Sequence, residues 1–403
     1  MNIGMILDNE FTGDQRVENE VMSLINAGFN VFVLCFNYGN KAPLEQMFGG
    51  TIVRLPISLF KKNKMKGLDV SVVNLYTHFW SKKIIQFVKK YQIDVLHAHD
   101  LYMFGAAFKA NKKLQQALPV VGDLHENYAA ALKQYKFANT FPGKYIVSIP
   151  KWEKTEVSWV KKADYLITVI EEAKVRYENM GIPEEKIFVV ANYVNTEVFL
   201  APPTDYEIIN RFKKNFVVLY SGGFDLHRGL DTLIRAIPLV KEKIPDLKLV
   251  LVGTGRNLDD LKTLADTLDV SNWVSFVGWQ SSELLKSYVQ ASNVCAIPHL
   301  KSVHTDNTIP HKIFHYMILE KAVIASNCNP LERIVKETQA GLIFNSGDEE
   351  SFASKLIYLY ENLSETNKMG ARGKKAAQQK YNWDNTSKNL VRLYENISQS
   401  MNK

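Results

Sequence analysis

Two glycines and an arginine follow a strongly apolar run near the middle of the chain. Residues 216–220 have the length and β-branched content of a buried strand, and Gly222 and Gly223 come directly after them. Unpaired backbone N–H groups at the start of a following helix attract anions, and the guanidinium fork of Arg228 matches the geometry of phosphate oxygens. The pattern indicates a phosphate site, although an ordinary tight turn beside a solvated arginine accounts for the same residues.

A second glycine turn belongs to the same structural unit. Apolar residues recur at helical spacing over 230–240, and a second apolar run over 247–252 ends at Gly253. Strand, turn, helix and strand form a βαβ unit whose glycines fall at the carboxyl ends of the strands, where open parallel sheets bind phosphorylated ligands. Neither turn has the G-x-G-x-x-G spacing with a following acidic residue, which disfavours a nicotinamide-dependent oxidoreductase.

Histidines and carboxylates end two short apolar runs in the first half of the chain. His97, His99 and Asp100 close the run that begins at residue 95, and the sequence DLHENY at 123–128 closes the next. We expect His97 to make a structural hydrogen bond, because it belongs to the strand itself. His125 stands at a strand end among polar neighbours and is the better candidate for a functional histidine.

The elements that must position these residues alternate between strand and helix patterns along the whole chain. Buried strands are predicted over 1–7, 31–36, 95–98, 119–122 and 165–169, and then over 217–220, 247–252, 274–277, 294–297, 322–325 and 341–344. A chain of 403 residues is too long to form a single hydrophobic core. Residues 192–206, with two adjacent prolines, are typical of a linker between domains. The fold class is therefore α/β, with two parallel-sheet domains.

Composition indicates a globular protein of the cytoplasm. The chain is 46% hydrophobic and 23% charged, and its apolar runs are shorter than a bilayer span. Its first residues lack the basic start and long apolar core of a signal peptide. Cys35, Cys295 and Cys328 are odd in number and far apart, so we expect buried thiols in a reducing compartment. No cluster with metal-ligand spacing is evident, and no metal is expected.

The basic residues are concentrated in one segment. Residues 54–162 hold 19 Lys or Arg against 7 Asp or Glu, within a chain of net charge +7. The absence of a recognition-helix pattern and of interleaved aromatic residues disfavours nucleic acid as a partner. Lys61, Lys62, Lys64 and Lys66 are predicted to hold the chain loosely at an anionic membrane or to position an anionic acceptor. Solvated lysine faces on ordinary helices are the alternative.

Taken together in order, the motifs resemble the family 4 retaining glycosyltransferases of the GT-B fold. The matching stretches run from DQRV at 14–17 through HAHD at 97–100 and DLHENY at 123–128 to YNW at 381–383; in the second half they are YSGGFDLHRGLDTLI, LVLVGTGR, VSFVGWQ and NTIPHKIFHYMILEKAVIAS. The resemblance implies two Rossmann-like domains facing across a cleft. The first, 1–198, is the acceptor side and is completed by a C-terminal helix at 384–403; the second, 199–383, binds a nucleotide sugar.

The resemblance also assigns roles to individual residues. It implies that His125 and Arg228 are catalytic and that no metal or other cofactor is needed, because protein cations stabilise the leaving diphosphate. The implied donor-binding residues are Gly13, Arg16, Gly222, Gly223, Gly253, Trp279, Asn307, Thr308, Lys312 and His315. Those implied on the acceptor side are His99, Asp100, Glu126 and Tyr128. The partners expected are a nucleotide sugar and a glycan or lipid-linked acceptor.

Some residues depart from the family pattern. The family usually has arginine at the position of Gly223 and lysine at that of Arg228, and it has two glutamates where this chain has Asn307 and His315. The expected function is retaining transfer of a sugar from a nucleoside-diphosphate sugar, in surface polysaccharide or glycoconjugate synthesis. The alternatives are a catalytically weak homologue that serves as a partner subunit and a GT-B sugar-nucleotide epimerase.

Overall fold

Two separate sheets of parallel strands organise the chain in this computed structural model, which describes residues 1–69, 74–125, 127–132, 140–141 and 143–401. The first structural unit comprises Met1–Ala191 together with Thr386–Lys403, and the second comprises Asn192–Asn385. Each unit is an α/β domain with its own sheet, as the sequence predicts.

The first unit contains an eight-stranded sheet in the order β3-β4-β2-β1-β5-β6-β7-β8. Its strands are β1 (Asn2–Ile6), β2 (Asn30–Asn37), β3 (Leu44–Met47), β4 (Gly50–Pro56), β5 (Val95–His99), β6 (Val120–Leu124), β7 (Tyr165–Thr168) and β8 (Ile187–Val189). Strand β3 pairs antiparallel with β4 at one edge, and the remaining pairs are parallel. The strand order changes direction at β1, which lies between β2 and β5.

Helices cover this first sheet. They are α1 (Gln15–Asn26), α2 (Leu59–Leu68), α3 (Leu75–Tyr91), α4 (Leu101–Asn111), α5 (Tyr128–Leu132), α6 (Gly143–Ile146), α7 (Ile149–Lys162) and α8 (Glu171–Asn179). Helix α4 is buried along most of its length because it carries alanines and aromatic residues on every side. It follows β5 directly, so its first residues lie at the carboxyl edge of the sheet.

The second unit contains a six-stranded parallel sheet in the order β11-β10-β9-β12-β13-β14. Its strands are β9 (Phe216–Ser221), β10 (Leu247–Val252), β11 (Val274–Gly278), β12 (Val294–Ile297), β13 (Ala322–Ser326) and β14 (Gly341–Phe344). All six residues of β9 are buried, in keeping with its apolar run over 216–220. Strand β9 lies between β10 and β12, and this is where the strand order changes direction.

The helices of the second unit begin in the segment that was predicted to be a linker. They are α9 (Thr196–Leu200), α10 (Tyr206–Phe212), α11 (Leu230–Val240), α12 (Leu258–Thr267), α13 (Ser282–Ala291), α14 (Lys312–Ile318), α15 (Asn329–Thr338), α16 (Glu349–Glu361) and α17 (Leu363–Gln379). The last helix, α18 (Trp383–Met401), starts in the second unit and ends in the first.

The return of the C-terminal helix to the first unit is confirmed by its contacts. The Asn389 side chain donates to the backbone oxygen of Val189 at 2.9 Å, and the Thr386 hydroxyl accepts from the backbone N–H of Ala191 at 2.7 Å. The units divide at Ala191 and Thr386, whereas the sequence placed the domain boundaries at 198 and 384. Helix α9 groups with the second unit because the Phe199 ring stacks on His315 at a centroid distance of 4.1 Å.

All the predicted strands are present, and the remaining differences lie in the first unit. The hairpin of β3 and β4 and helix α2 were not predicted, because their residues alternate weakly and α2 is rich in lysine. The sequence also predicts a helix over about 70–91, which corresponds to α3, and residues 70–73 lie outside the described residues. The sequence over 130–150 has no clear period, which predicts a loop, yet α6 and parts of α5 and α7 fall within this range. Residues 133–139 and 142 of this range lie outside the described residues. The three cysteines are buried, as expected.

Candidate active site

The second unit has a crevice where its strand order changes direction. Strands β9 and β12 are neighbours, and Gly222 follows the first while His299 follows the second. Helices leave the carboxyl ends of such adjacent strands toward opposite faces of an open sheet, so a crevice forms that commonly holds a ligand. The crevice of the second unit is therefore defined by the residues that follow β9, β10 and β12 and by the start of α14.

The two glycine turns touch each other in this crevice. Gly222 and Gly253 have φ angles of 137° and 140°, and a Cβ atom on Gly253 would lie 1.9 Å from the backbone oxygen of Gly222. Only glycine fits at Gly253, since a side chain would both clash and be strained. The Gly222 N–H donates to the Val252 oxygen, and the Gly253 N–H donates to the Gly278 oxygen. These two backbone groups are therefore already paired, whereas the sequence predicted that they would bind a ligand.

Lys312 is the buried cation of this crevice. Lys312 is only 6% exposed, and its Nζ lies beside Gly222 and 3.9 Å from the centroid of the Tyr220 ring. Among the described residues, Nζ has no hydrogen-bond partner. Burial, together with the nearby Arg228 charge, holds the pKa of Lys312 well below its usual value. Its burial shows that Lys312 is not an ordinary solvated lysine.

Arg228 supplies a second cation to the same crevice. It ends a short 3₁₀ helix, Leu226–Arg228, and its Nη1 donates to His299 Nε2 at 3.0 Å, while its Nε has no partner among the described residues. The following Gly229 is left-handed, and a Cβ atom there would lie 2.1 Å from the Pro298 oxygen. Close packing against the end of β12 therefore fixes the backbone that carries Arg228.

Three histidines surround Arg228 without neutralising it. The His227 ring centroid lies 5.8 Å from that of His304 and 6.4 Å from that of His299. Burial and then the Arg228 charge lower the pKa of His227 and of His304 to about 4, and they hold the pKa of His299 well below its usual value. None of the three was predicted. His299 had a signal in the sequence, since it lies two residues beyond a buried strand.

The predicted donor residues Asn307, Thr308 and His315 are already in contact with other parts of the protein. The Asn307 amide donates to the Val303 oxygen at 2.8 Å, and the Thr308 hydroxyl donates to the His304 oxygen at 3.1 Å. His315 is buried, its Nδ1 has no partner among the described residues, and burial keeps its pKa well below the usual value. A neutral imidazole therefore replaces the glutamate of the family pattern.

Two other predicted donor residues are exposed. The Gly223 carbonyl accepts from the Tyr220 hydroxyl at 2.8 Å. Trp279 is 72% exposed, so it is not a core tryptophan. An exposed indole at the end of β11 can stack on a planar ligand.

The first unit has its own crevice, where β1 and β5 are neighbours. Asp8 follows β1, and its carboxylate accepts from Lys66 Nζ at 2.9 Å and from the hydroxyls of Tyr76 and Tyr102 at 2.8 Å each. Lys62 Nζ lies 3.9 Å from the same carboxylate and donates to the Tyr38 hydroxyl at 2.7 Å. Lys62 and Lys66 therefore serve an internal network, which corrects their assignment to a free basic face. Asp8 was not predicted.

His125 lies between two carboxylates in this crevice. Its Nε2 is 3.0 Å from Asp123 Oδ2, and its Nδ1 is 3.7 Å from Asp100 Oδ1. Burial alone would lower the pKa of His125, but the charges of Asp123 and Asp100 raise it to about 9. The imidazole is thus protonated at neutral pH. Asp100 has a left-handed backbone, with φ of 67°, and its Oδ2 accepts from the Tyr102 hydroxyl.

Arg16 lies inside the first unit, and its contacts do not match the predicted role on donor phosphates. Its Nη2 is 2.9 Å from Asp123 Oδ1 and 3.0 Å from Glu20 Oε1, and its Nη1 donates to the Val190 oxygen. Burial raises the pKa of Asp123, but the charges of Arg16 and His125 outweigh this effect and hold the pKa well below its usual value. A bond from Arg16 to phosphate would break a buried ion pair.

His97 and His99 complete the interior of this cluster. His97 is fully buried, and its Nδ1 lies 2.8 Å from the Tyr394 hydroxyl of α18, consistent with the structural role expected for it. His99 Nδ1 lies 3.3 Å from His125 Nε2, and burial lowers the pKa of His99 to about 4. His99 therefore contacts His125 from within the protein and is not open to an acceptor.

Among the described residues, one group has side chains that could together hold a metal ion: Glu20, His97, His99 and Asp123. One ligand atom from each lies within 4.8 Å of the others. The Arg16 guanidinium already contacts both carboxylates, so they have a cation without a metal ion. The expectation that no metal is needed stays a prediction.

The remaining predicted residues of the first unit have local roles or lie outside the description. The Gly13 N–H donates to Glu18 Oε1 at 2.7 Å, near the start of α1. The Tyr128 ring packs edge-on against Tyr102 at 5.4 Å between centroids. Glu126 lies outside the described residues.

Comparison with known proteins identifies the class of protein. The model of Glycosyltransferase Family 4 matches residues 15–198, and that of Glycosyl transferases group 1 matches residues 203–376. A phosphatidyl-myo-inositol mannosyltransferase of Mycolicibacterium smegmatis is 26% identical over 99% of this chain and 94% of its own length. A lipopolysaccharide core biosynthesis glycosyltransferase, LpsE of Rhizobium meliloti, is 24% identical over 63% of this chain and 67% of its own length.

Solved structures agree on the fold. A sucrose-phosphate synthase from Thermosynechococcus elongatus has a TM-score of 0.78 at 17% identity and covers 99% of this chain and 100% of its own. HepE of Anabaena, solved in complex with UDP, has a TM-score of 0.71 at 16% identity and covers 99% of both chains. The two crevices and these similarities define a glycosyltransferase of the GT-B fold. The chain belongs to glycosyltransferase family 4.

No helix in the described part of the chain combines the length and the apolar character that crossing a membrane would need.

Proposed function

We propose that this enzyme transfers a sugar from a nucleoside-diphosphate sugar, with retention of anomeric configuration, to a glycan or lipid-linked acceptor. The pathway we favour is surface polysaccharide or glycoconjugate synthesis. One observation carries the proposal: Arg228 and the buried Lys312 share a crevice without an ion-pair partner among the described residues. Buried cations without a counter-ion are costly unless a ligand supplies the negative charge.

A departing nucleoside diphosphate is such a ligand. Negative charge develops on its phosphate oxygens as the glycosidic bond breaks, and cations fixed in place around that charge lower the barrier. Arg228 can donate two parallel hydrogen bonds, and Lys312 adds a point charge with three N–H groups. Trp279 is exposed at the end of β11 and suits a nucleobase. Asn307 and His315 would face the donor hydroxyls, where neutral groups replace the glutamates of the family pattern.

His125 is the catalytic group that we propose on the acceptor side. Its protonated ring is held at Nε2 by Asp123, whereas the 3.7 Å from Nδ1 to Asp100 is too long for a hydrogen bond. Among the described residues the Nδ1–H has no hydrogen-bond partner, and we propose that it binds a donor-sugar or acceptor oxygen. Asp100 would then orient an acceptor hydroxyl. Similarity supports a lipid-linked or glycan acceptor, since the two relatives above are named for phosphatidyl-myo-inositol and for lipopolysaccharide core.

A donor panel tests the proposal. Calorimetry against nucleoside diphosphates and nucleotide sugars should find one nucleotide that binds, and the matching sugar should be transferred with its anomeric configuration unchanged by NMR. An inverted product would refute retention. Binding without transfer to any glycan or lipid-linked acceptor would favour the catalytically weak partner subunit, to which Asn307 and His315 point. Interconversion of the donor sugar would favour an epimerase.

We also propose that the enzyme associates peripherally with a membrane, because a lipid-linked acceptor lies at one. The excess of basic residues over 54–162 supports this. The structure removes Lys62 and Lys66 from the lysines available for such contact.

A further inference from the structure

Two neighbouring helices of the first unit expose aromatic residues that a protein core would normally hold. Phe60 on α2 is 79% exposed, and Tyr145 on α6 is 75% exposed. Phe141, just before α6, is 81% exposed, and its ring packs edge-on against Tyr145 at 6.4 Å between centroids. Helices α2 and α6 lie in contact with each other. Exposed large side chains grouped in this way mark a surface for binding.

Lysines accompany these aromatic residues. Lys61 and Lys64 are exposed on α2, and Lys144 is exposed on α6 with its Nζ 4.9 Å from the Tyr145 ring centroid. Lys62 lies between this exposed pair in sequence, but it turns inward and donates to the Tyr38 hydroxyl. Helix α2 therefore has basic side chains on both its inward and its outward face. Residues 57–68 and 140–152 contain no Asp or Glu. The positive charge of this surface is therefore unopposed along both segments.

We infer that the aromatic–lysine surface, formed by Phe60, Lys61, Lys64, Phe141, Lys144 and Tyr145, docks on a bilayer that contains anionic phospholipids. This inference rests on the proposed lipid-linked acceptor, because docking would bring the acceptor's membrane to the first unit. Aromatic rings enter the interface between headgroups and acyl chains, and lysines pair with the headgroup charge. An acidic protein surface would pair with the lysines but would leave the solvent-exposed rings without an apolar environment.

Flotation with vesicles tests the docking surface. The full-length enzyme should float with vesicles of phosphatidylcholine mixed with phosphatidylglycerol at low salt, and much less at high salt or with phosphatidylcholine alone. The variants Phe60→Ser/Phe141→Ser and Lys61→Glu/Lys64→Glu should each partition at least about tenfold more weakly. All four side chains are exposed, so neither variant should unfold.

Matched controls come from the second unit. Tyr206 is 71% exposed, and Lys213 and Lys214 are an adjacent exposed pair. Tyr206→Ser and Lys213→Glu/Lys214→Glu should float like the wild type. The inference is overturned if the wild type does not float at low salt, if it floats equally with neutral vesicles, or if the surface variants float like the wild type.

A variant of the donor site separates a failure of the docking surface from a failure of the proposed function. Arg228→Ala should float normally while losing sugar transfer. An enzyme that transfers sugar but does not float contradicts the docking surface alone. A chain that floats but transfers no sugar contradicts the proposed function and leaves the surface standing.

Discussion

The crevices of the two units differ in how their charges are balanced. In the first unit, Asp8 pairs with Lys66, and Asp123 pairs with Arg16 and His125, so cations and carboxylates meet within the protein. In the second unit, Arg228 and Lys312 contact only neutral groups among the described residues. A balanced crevice suits a neutral hydroxyl, and an unbalanced one suits a dianion. Under the proposed function, this difference favours the first unit for the acceptor and the second unit for the diphosphate.

The unbalanced charge makes Arg228 the residue with the largest expected effect on turnover. Its bonds to phosphate strengthen as charge develops, so Arg228→Ala should lower kcat by roughly 100-fold or more while donor binding falls less. Arg228→Lys should recover part of the rate, because it keeps the charge but not the two-pronged geometry. Steady-state kinetics of both variants provide the measurement.

A matched control for Arg228 is Lys262→Ala, which removes an exposed cation of the same unit. It should leave kcat unchanged. If Arg228→Ala folds normally by its melting curve and keeps a near wild-type rate, the phosphate role of the crevice is wrong.

The balanced charge of the first unit makes Asp123 a determinant of stability. Asp123→Asn leaves Arg16 and protonated His125 buried with less counter-charge, which typically costs about 3–5 kcal/mol of unfolding free energy. The same change should lower the pKa of His125 from about 9 toward its usual value, as seen in the histidine ring signals by NMR. Exposed Glu171 provides the control, since Glu171→Gln should change neither quantity. An unshifted His125 would show that Asp123 does not hold its proton.

Stability should change with pH on both sides of neutrality. Burial lowers the pKa of His97 to about 3 and of His99 to about 4, so below pH 6.5 the unfolded chain binds protons that the folded chain does not. The unfolding free energy should therefore fall as the pH drops from 6.5 to 4. His125 affects the unfolding free energy in the opposite direction, because its pKa is raised to about 9. Its stabilising contribution is complete below pH 6.5 and is lost as the pH rises through 9.

Denaturant unfolding at stepped pH values measures both slopes. His99→Asn should reduce the acid slope, and His125→Gln should remove the alkaline one. An alkaline slope that is the same in His125→Gln as in the wild type would contradict the protonated state of His125.

The sequence predicted the parallel sheets better than it predicted the side-chain partners. Strand β12 is a continuous apolar run and β10 is interrupted only by Lys248, because both faces of a parallel sheet are buried, and the bounds of both strands match the prediction. The β3–β4 hairpin was missed because its exposed edge residues carry no such pattern. Local patterns report the burial of a strand, and they report little about what lies beside it.

Ion pairs depend on residues that are distant in sequence, which explains the misassigned cations. The family resemblance implied that Arg16 binds donor phosphates, yet Asp123, over one hundred residues away, neutralises it. Asp8 pairs with Lys66 across β1 and α2 in the same way. Lys312 shows the converse, because its burial follows from the packing of α14 against Tyr220 and Gly222. Position in a motif therefore located Arg16 and Lys312 without revealing what surrounds them.

The difference between the crevices is tested most directly by binding of a nucleoside diphosphate to paired lysine variants. Lys312→Met removes the unbalanced cation, and Lys66→Met removes a balanced one while Lys62 remains beside Asp8. Calorimetry should show binding about thirtyfold weaker for Lys312→Met, the loss of one charge-assisted hydrogen bond, and unchanged binding for Lys66→Met. Wild-type affinity in a correctly folded Lys312→Met, or an equal loss in both variants, would contradict the account.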